Sequence, residues 1–176
     1  MKKLLIASLC MTALTLTACD KKNSDATTSN HSNTTSAPAS ISLSKDNVAD
    51  IKNDLTQLQT LSNAKSQEAL KFQDEANKAA EQGKAPELTA VVNKMESFVV
   101  SFNKDLDALP IKSKEADSIR SKMKQSNDLG LELAKASIKT PPDMDKINAL
   151  QKKAVDLQQE LMTEMQTLEV KVNSKA

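Results

Sequence analysis

The sequence predicts an all-α protein: an elongated antiparallel helical bundle of about four helices after a disordered N-terminal tether. Three observations carry this. The 176 residues contain only two glycines and five prolines, so helix breakers are scarce. After about Ser44, apolar residues recur at intervals of three and four, the period of an amphipathic helix. The prolines fall between these periodic segments, where helices stop or start. The chain divides accordingly into a leader (1–18), a tether (19–43) and a helical domain (44–176).

The first helix is expected from about Lys45 to Gln82, with Gly83 as its C-terminal stop. Val48, Ile51, Leu55 and Leu58 begin its stripe, and Ala69, Phe72, Ala76 and Ala79 resume it. Ser62, Asn63, Lys65 and Ser66 weaken the stripe between, so a kink or break is expected there. The second helix starts at Pro86, which suits a first turn, with Glu87 beside the positive end of the helix dipole. Leu88, Val91, Met95, Val99, Phe102 and Leu106 form its stripe, widened by Val92 and Phe98, and Pro110 ends it.

The third helix, about Ser113 to Ile138, carries Ala116, Ile119, Met123, Leu129 and Leu133. Gly130 inside it costs about 1 kcal/mol against alanine and suggests a close helix approach. For the fourth, Thr140 is a capping residue, Pro141 fits the first turn and Asp143 adds an acid near the N-terminus. Its seam runs from Met144 through Ile147, Leu150, Ala154, Leu157, Leu161, Met165 and Leu168 to Val172, every interval three or four. At 1.5 Å per residue, helix one would be roughly 57 Å and helix two roughly 36 Å. An elongated bundle with overhang, or a broken first helix, accommodates that mismatch; the alternative is a three-helix core with helix one detached at one end.

Ahead of the domain, Met1-Lys2-Lys3 gives a basic start and Leu4–Leu16 a short apolar run. Thirteen residues, three of them hydroxylated, fall short of the roughly 20 needed to span a bilayer, which is the build of a secretory leader. The run Leu16-Thr17-Ala18-Cys19 then resembles the lipobox of bacterial lipoproteins. That resemblance implies diacylation of the Cys19 sulfur, cleavage before Cys19 and anchoring of the mature chain by lipid; two or three acyl chains hold stably where one does not. Asp20 is similar to the residue that retains lipoproteins in the inner membrane of some Gram-negative lineages, while Lys21 weakens the signal. Inner and outer membrane both stay open.

Asp20 to about Ser40 is rich in Ser, Thr and Asn with almost no large apolar residue, a composition that cannot offset its ordering entropy. About twenty such residues reach near 25 Å, from ~5–6 Å × √n. His31, the only histidine, lies here without a second ligand-type neighbour and reads as a solvated linker residue.

Composition narrows the function. Net charge is +1, and loss of Lys2 and Lys3 with the leader takes it to −1. Charges alternate in sign along the helices, and the chain has no Trp, no Tyr and three Phe, so nucleic-acid binding is not expected. The second cysteine, Cys10, lies in the leader; with Cys19 lipidated the domain has no thiol and no disulfide. Nucleophilic catalysis would then rest on pairs such as Ser113-Lys114 and Ser121-Lys122, or on the carboxylates Asp105/Asp107 and Glu160/Glu164, all of which read as solvated helix surface. Met95, Met123, Met144, Met162 and Met165 could converge on Cu(I), but their places on or beside the stripes read as core packing.

The expectation is therefore a non-catalytic, lipid-anchored, periplasm-facing envelope lipoprotein that acts as a helical interaction module. No cofactor, metal or catalytic residue is predicted. The partners are the membrane, through lipid on Cys19, and another envelope protein; the wide stripe of helix two leaves room for self-association. Two other readings stand beside it. One is a structural spacer resembling the outer-membrane lipoprotein tied to peptidoglycan, although Pro86, Pro110 and Pro141-Pro142 interrupt the heptads and Ala176 follows Lys175 at the C-terminus. The other is an immunity factor, inhibitor or carrier of an apolar ligand, held in a pocket lined by Val92, Phe98 and Phe102.

Overall fold

The computed structural model describes residues 42–174. Within them lie four helices: α1 (Val48–Glu81), α2 (Ala85–Ala108), α3 (Lys114–Ser137) and α4 (Met144–Ser174). The all-α bundle expected from the periodicity is what forms.

Local chemistry sets each boundary. Asn47 caps α1, its side chain accepting from the backbone N–H groups of Ala49 and Asp50 at 3.1 and 3.3 Å. Helix one therefore starts three residues later than expected, because Asp46 before the cap takes a left-handed φ of 60°, which aspartate tolerates better than most residues. At the other end Gly83 has φ 66°. Its N–H donates to the Ala80 carbonyl at 3.1 Å and that of Lys84 to the Ala79 carbonyl at 3.0 Å. This pair of bonds satisfies carbonyls the helix end would otherwise leave open. Pro86 lies in the first turn of α2, and Ser113 caps α3 by accepting from Ala116 N–H.

Two boundary expectations are corrected. Helix four starts at Met144 and not at Pro141. Thr140, Pro141 and Pro142 belong to the loop between α3 and α4. Asp143 caps instead: its carboxylate accepts from Lys146 N–H at 3.0 Å and its carbonyl from Ile147 N–H at 3.0 Å. Helix one also runs through Ser62–Ser66 without a break. The serine hydroxyls there donate back to the Leu58 and Asn63 carbonyls at 2.8 Å, and Lys65 reaches across to Asp105 of α2, so these polar residues find partners without breaking the helix.

The helices alternate in direction through short connections. Each packs on its chain neighbour, α4 closes onto α1, and α1 also touches α3 across the diagonal; α2 and α4 do not meet. The main core joins Ile51, Leu55 and Leu58 of α1 to Phe98, Phe102 and Leu106 of α2. Ala116, Ile119 and Met123 of α3 and Leu161, Met165, Leu168 and Val172 of α4 complete it. Helix one is therefore integral to the core and not detached. All of these lie in the half of the bundle where α1 and α3 begin and α2 and α4 end. The far half holds a second cluster, Leu133 and Ala136 with Ile147 and Leu150, made by α3 and α4 alone. At 1.5 Å per residue, α1 is about 51 Å long and α2 about 36 Å, so the longer helices overhang.

Candidate functional site

Cys19 and His31, with the leader and most of the tether, lie outside the described residues. What is described is the place where the tether meets the bundle. Ser44 bridges to the α2–α3 connection: its N–H donates to the Lys112 carbonyl at 2.7 Å and its carbonyl accepts from Lys114 N–H at 2.9 Å. The Ser44 hydroxyl also donates to Asp50 at 2.7 Å. Asp46 adds a backbone hydrogen bond to Glu115 at 2.8 Å and an ion pair with Lys171 near the end of α4. The incoming chain is thus held at one end of the bundle by α1, α3 and α4 together.

Beneath this clasp sits a buried polar group that sequence reasoning missed. Asp54 is 0% exposed. Its Oδ2 accepts from Lys112 N–H at 2.9 Å, Ser113 N–H at 2.7 Å and the Ser113 hydroxyl at 2.7 Å. A carboxylate is tolerated there because it serves donors that the turn between α2 and α3 leaves without helical partners. Ser113, expected on a polar helix surface, is likewise 0% exposed. Its hydroxyl both donates to Asp54 and caps α3. The 3-4 spacing of the α1 stripe does place Asp54 beside Leu55 and Leu58, and that phase was the only available signal.

The remaining polar candidates are drawn into pairs between helices. Lys65 meets Asp105 at 2.7 Å, Lys124 meets Asp107 at 2.7 Å, and Lys135 meets Glu96 at 2.6 Å. Lys122, next to Ser121, reaches Glu164 at 3.0 Å and Glu160 at 3.2 Å. Its hydrogen bond to Glu164 and then that to Glu160 raise its pKa above the ordinary lysine value. A lysine must lose its proton to serve Ser121 as a base, and these carboxylates hold the proton on. No group of three or more His, Cys, Asp or Glu among the described residues is placed to hold a metal.

The five methionines do not converge. Met95, Met123 and Met165 are buried, whereas Met144 is 58% and Met162 48% exposed, and 18 residues of helix separate those two by about 27 Å. Met144 thus falls outside the seam predicted for α4: 18 residues are five whole turns, so it shares the exposed side of the helix with Met162. Val92, Phe98 and Phe102 are all buried. Phe98 is flanked by Phe72 at 5.4 Å and by Phe102 at 5.8 Å, so side chains occupy the place suggested for an apolar ligand. A shallow open groove does run between α3 and α4, lined by Asp128, Glu132, Lys153, Asp156, Leu157 and Glu160.

Exposed apolar surface is distributed unevenly. Of the six large apolar side chains that stay exposed, Leu70 is on α1, Met144, Val155, Met162 and Val170 are on α4, and Val100 alone lies elsewhere, on α2. Helical phase, at about 100° per residue, places them. On α1, Lys65 and Phe72 mark the side that meets α2, and Thr56, Asn63 and Leu70 lie on the opposite side. On α4, Leu150 and Glu164 mark the side that meets α3, and Val155, Met162 and Gln166 lie opposite. Both sets therefore belong to the broad face formed by α1 and α4 side by side. Among the described residues, no ion pair joins α1 to α4. The stretch Leu55–Ala64 of α1 has no charged residue at all. The hydroxyls of Thr56, Thr60, Thr163 and Thr167 donate to helix carbonyls four residues back at 2.8–2.9 Å; with that bond made, a threonine presents mainly its methyl group.

No helix of the described residues is long and apolar enough to cross a membrane. No curated protein and no solved structure matches the chain. The family described as uncharacterised lipoprotein PM1805 matches residues 52–173, which takes in nearly the whole bundle. The chain belongs to that lipoprotein family.

Proposed function

We propose that this chain is a lipid-anchored, periplasm-facing envelope lipoprotein that acts as a non-catalytic helical interaction module, with its α1–α4 face as the docking surface. Membership of a lipoprotein family supports the anchor, and Leu16-Thr17-Ala18-Cys19 names the residue that carries it. The observation that carries the docking role is the gathering of five of the six exposed large apolar side chains on α1 and α4. In a chain with 27% charged residues, scattered single apolar residues need no explanation, but a shared face does.

Tethering supports the same reading. The tether joins the bundle at the end where α1 begins, so a chain held by lipid presents the α1–α4 face alongside the bundle axis and its two helical hairpin tips outward. Palmitate incorporation into the wild type but not into Cys19→Ser tests the anchor. A photo-crosslinking residue at position 155, compared with one at position 100, tests the face. The expected result is discrete adducts in intact cells from 155 and none from 100. Monomer alone at both positions, across growth and stress conditions, would refute the docking role.

A further inference from the structure

We propose that residues 42–46 form a releasable strap: they open while the helices stay folded, and their opening admits water to the buried Asp54–Ser113 pair. Only the link from the strap to the membrane rests on the anchor proposed above.

The α2–α3 connection is gripped from two sides. On its inner side the N–H groups of Lys112 and Ser113 donate to Asp54. On its outer side the Lys112 carbonyl accepts from Ser44 N–H at 2.7 Å, and Lys114 N–H donates to the Ser44 carbonyl at 2.9 Å. Ser113 therefore stands between the strap and Asp54, and both Ser113 and Asp54 are wholly buried. The Ser44 hydroxyl reaches Asp50 at 2.7 Å and the Lys112 carbonyl at 3.1 Å. Asp46 ties the end of the strap to Glu115 and Lys171.

The two grips differ in strength. Burial keeps water from the bonds to Asp54, whereas the strap holds on at the surface. Leu43 is its one large apolar residue, and that side chain is half-buried and outside the core. The Asp46 side chain is 60% exposed where it meets Lys171, so water and salt compete for the pair. Segments with few buried apolar contacts and exposed hydrogen bonds open at low free energy, ahead of the domain. Helix α1 does not depend on the strap. It starts from its own cap at Asn47, and Ile51, one turn on, already belongs to the main core.

Opening at the surface is felt inside. With the strap lifted, Ser113 meets water, and its charge-assisted bonds to Asp54 weaken as the local dielectric rises. The chain from Cys19 enters the domain through these residues. On the anchored protein, a pull between lipid and bundle reaches the strap before any helix.

The test is amide hydrogen exchange, read residue by residue by NMR on the full-length chain. In the wild type, the Ser44 and Lys114 amides should exchange roughly tenfold or more faster than those of Met123 and Leu161. Lys171→Gln removes the ion pair and should speed Ser44, Lys114 and Ser113 several-fold. Salt near ~1 M should do the same in the wild type by screening, and add little in Lys171→Gln. Ser44→Pro deletes the donor to Lys112 together with the hydroxyl. It should speed Lys112 and Ser113 roughly tenfold while Met123 and Leu161 stay unchanged.

Wild-type Ser44 and Lys114 exchanging no faster than Met123 would overturn separate opening. Faster exchange at Lys114 with Ser113 unmoved would overturn the coupling to Asp54. A parallel rise at Met123 and Leu161 in Ser44→Pro would make strap and core one unit, and the proposal would fall. Exchange is read with or without lipid on Cys19, so these failures are distinct from loss of the anchor, which palmitate labelling decides.

Discussion

Asp54→Ala tests how the base of the bundle is held. The truncation removes an acceptor that serves three donors, at 2.9, 2.7 and 2.7 Å. Ser113 is fully buried, so its N–H loses a charge-assisted bond with no water to replace it, at about 1.5–3 kcal/mol. Lys112 is exposed, so water partly serves its N–H and the loss there is about 1 kcal/mol. The Ser113 hydroxyl can turn elsewhere, but the cavity left by the carboxylate adds a further fraction. The sum is about 3–4 kcal/mol, or roughly 10–15 °C in melting temperature for a domain of this size.

The assay is urea and thermal unfolding followed by circular dichroism at 222 nm. Asp54→Asn keeps a carbonyl acceptor for the two N–H groups and should lose only about 1–2 kcal/mol. Ser113→Ala removes the cap and one bond, again about 1–2 kcal/mol. In a double-mutant cycle, Asp54→Ala and Ser113→Ala should be coupled by about 1 kcal/mol or more. If Asp54→Ala falls below about 1.5 kcal/mol, or matches Asp54→Asn, the account of a carboxylate holding the α2–α3 connection is wrong.

Two further outcomes follow from local geometry. Gly83→Ala meets no atom within 4 Å of the added Cβ, so its cost is that of a left-handed φ alone. About 1 kcal/mol is expected from the same unfolding curves, and a neutral result would mean that the stop of α1 shifts. For Lys122, the folded pKa lies above its ordinary value of 10.5. Its contribution is therefore fully present below pH 10.5 and is lost as pH rises through the folded pKa. Wild type and Lys122→Gln should differ by a constant amount from neutral pH to about pH 10 and converge above it; parallel curves into strong alkali would count against the pairing with Glu164 and Glu160.

How much of this was legible in the sequence depended on range. Gly83, Pro86 and Pro110 act through φ and the missing N–H, so they announced their boundaries without reference to the rest of the chain. Asp143 was legible as an acid at a helix start, but its capping role was assigned to Thr140, because two residue types that both cap well stand three positions apart and local propensity does not choose between them. Membership of a lipoprotein family agrees with the resemblance read in Leu16-Thr17-Ala18-Cys19, a contiguous stretch and so readable without the fold. Asp54 was not legible, since its partners lie 58 and 59 residues away and an acid on an otherwise apolar stripe reads as an interruption. The exposed α1–α4 face was also hidden: Met144 and Met162 occur on or beside α4 apolar positions, and nothing local says that one methionine is covered and the next is not.

The sequence by itself determined the number, order and approximate limits of the helices. Those depend on backbone propensity and hydrophobic period, which act within a few residues. Tertiary structure decided which stripe residues are buried, where a charge is kept in the interior, and which face remains uncovered. Those outcomes depend on what packs opposite each side chain. In a bundle where α2 and α4 never touch and α1 closes only partly onto α4, one broad face is left open, and its side chains are the ones available to a partner.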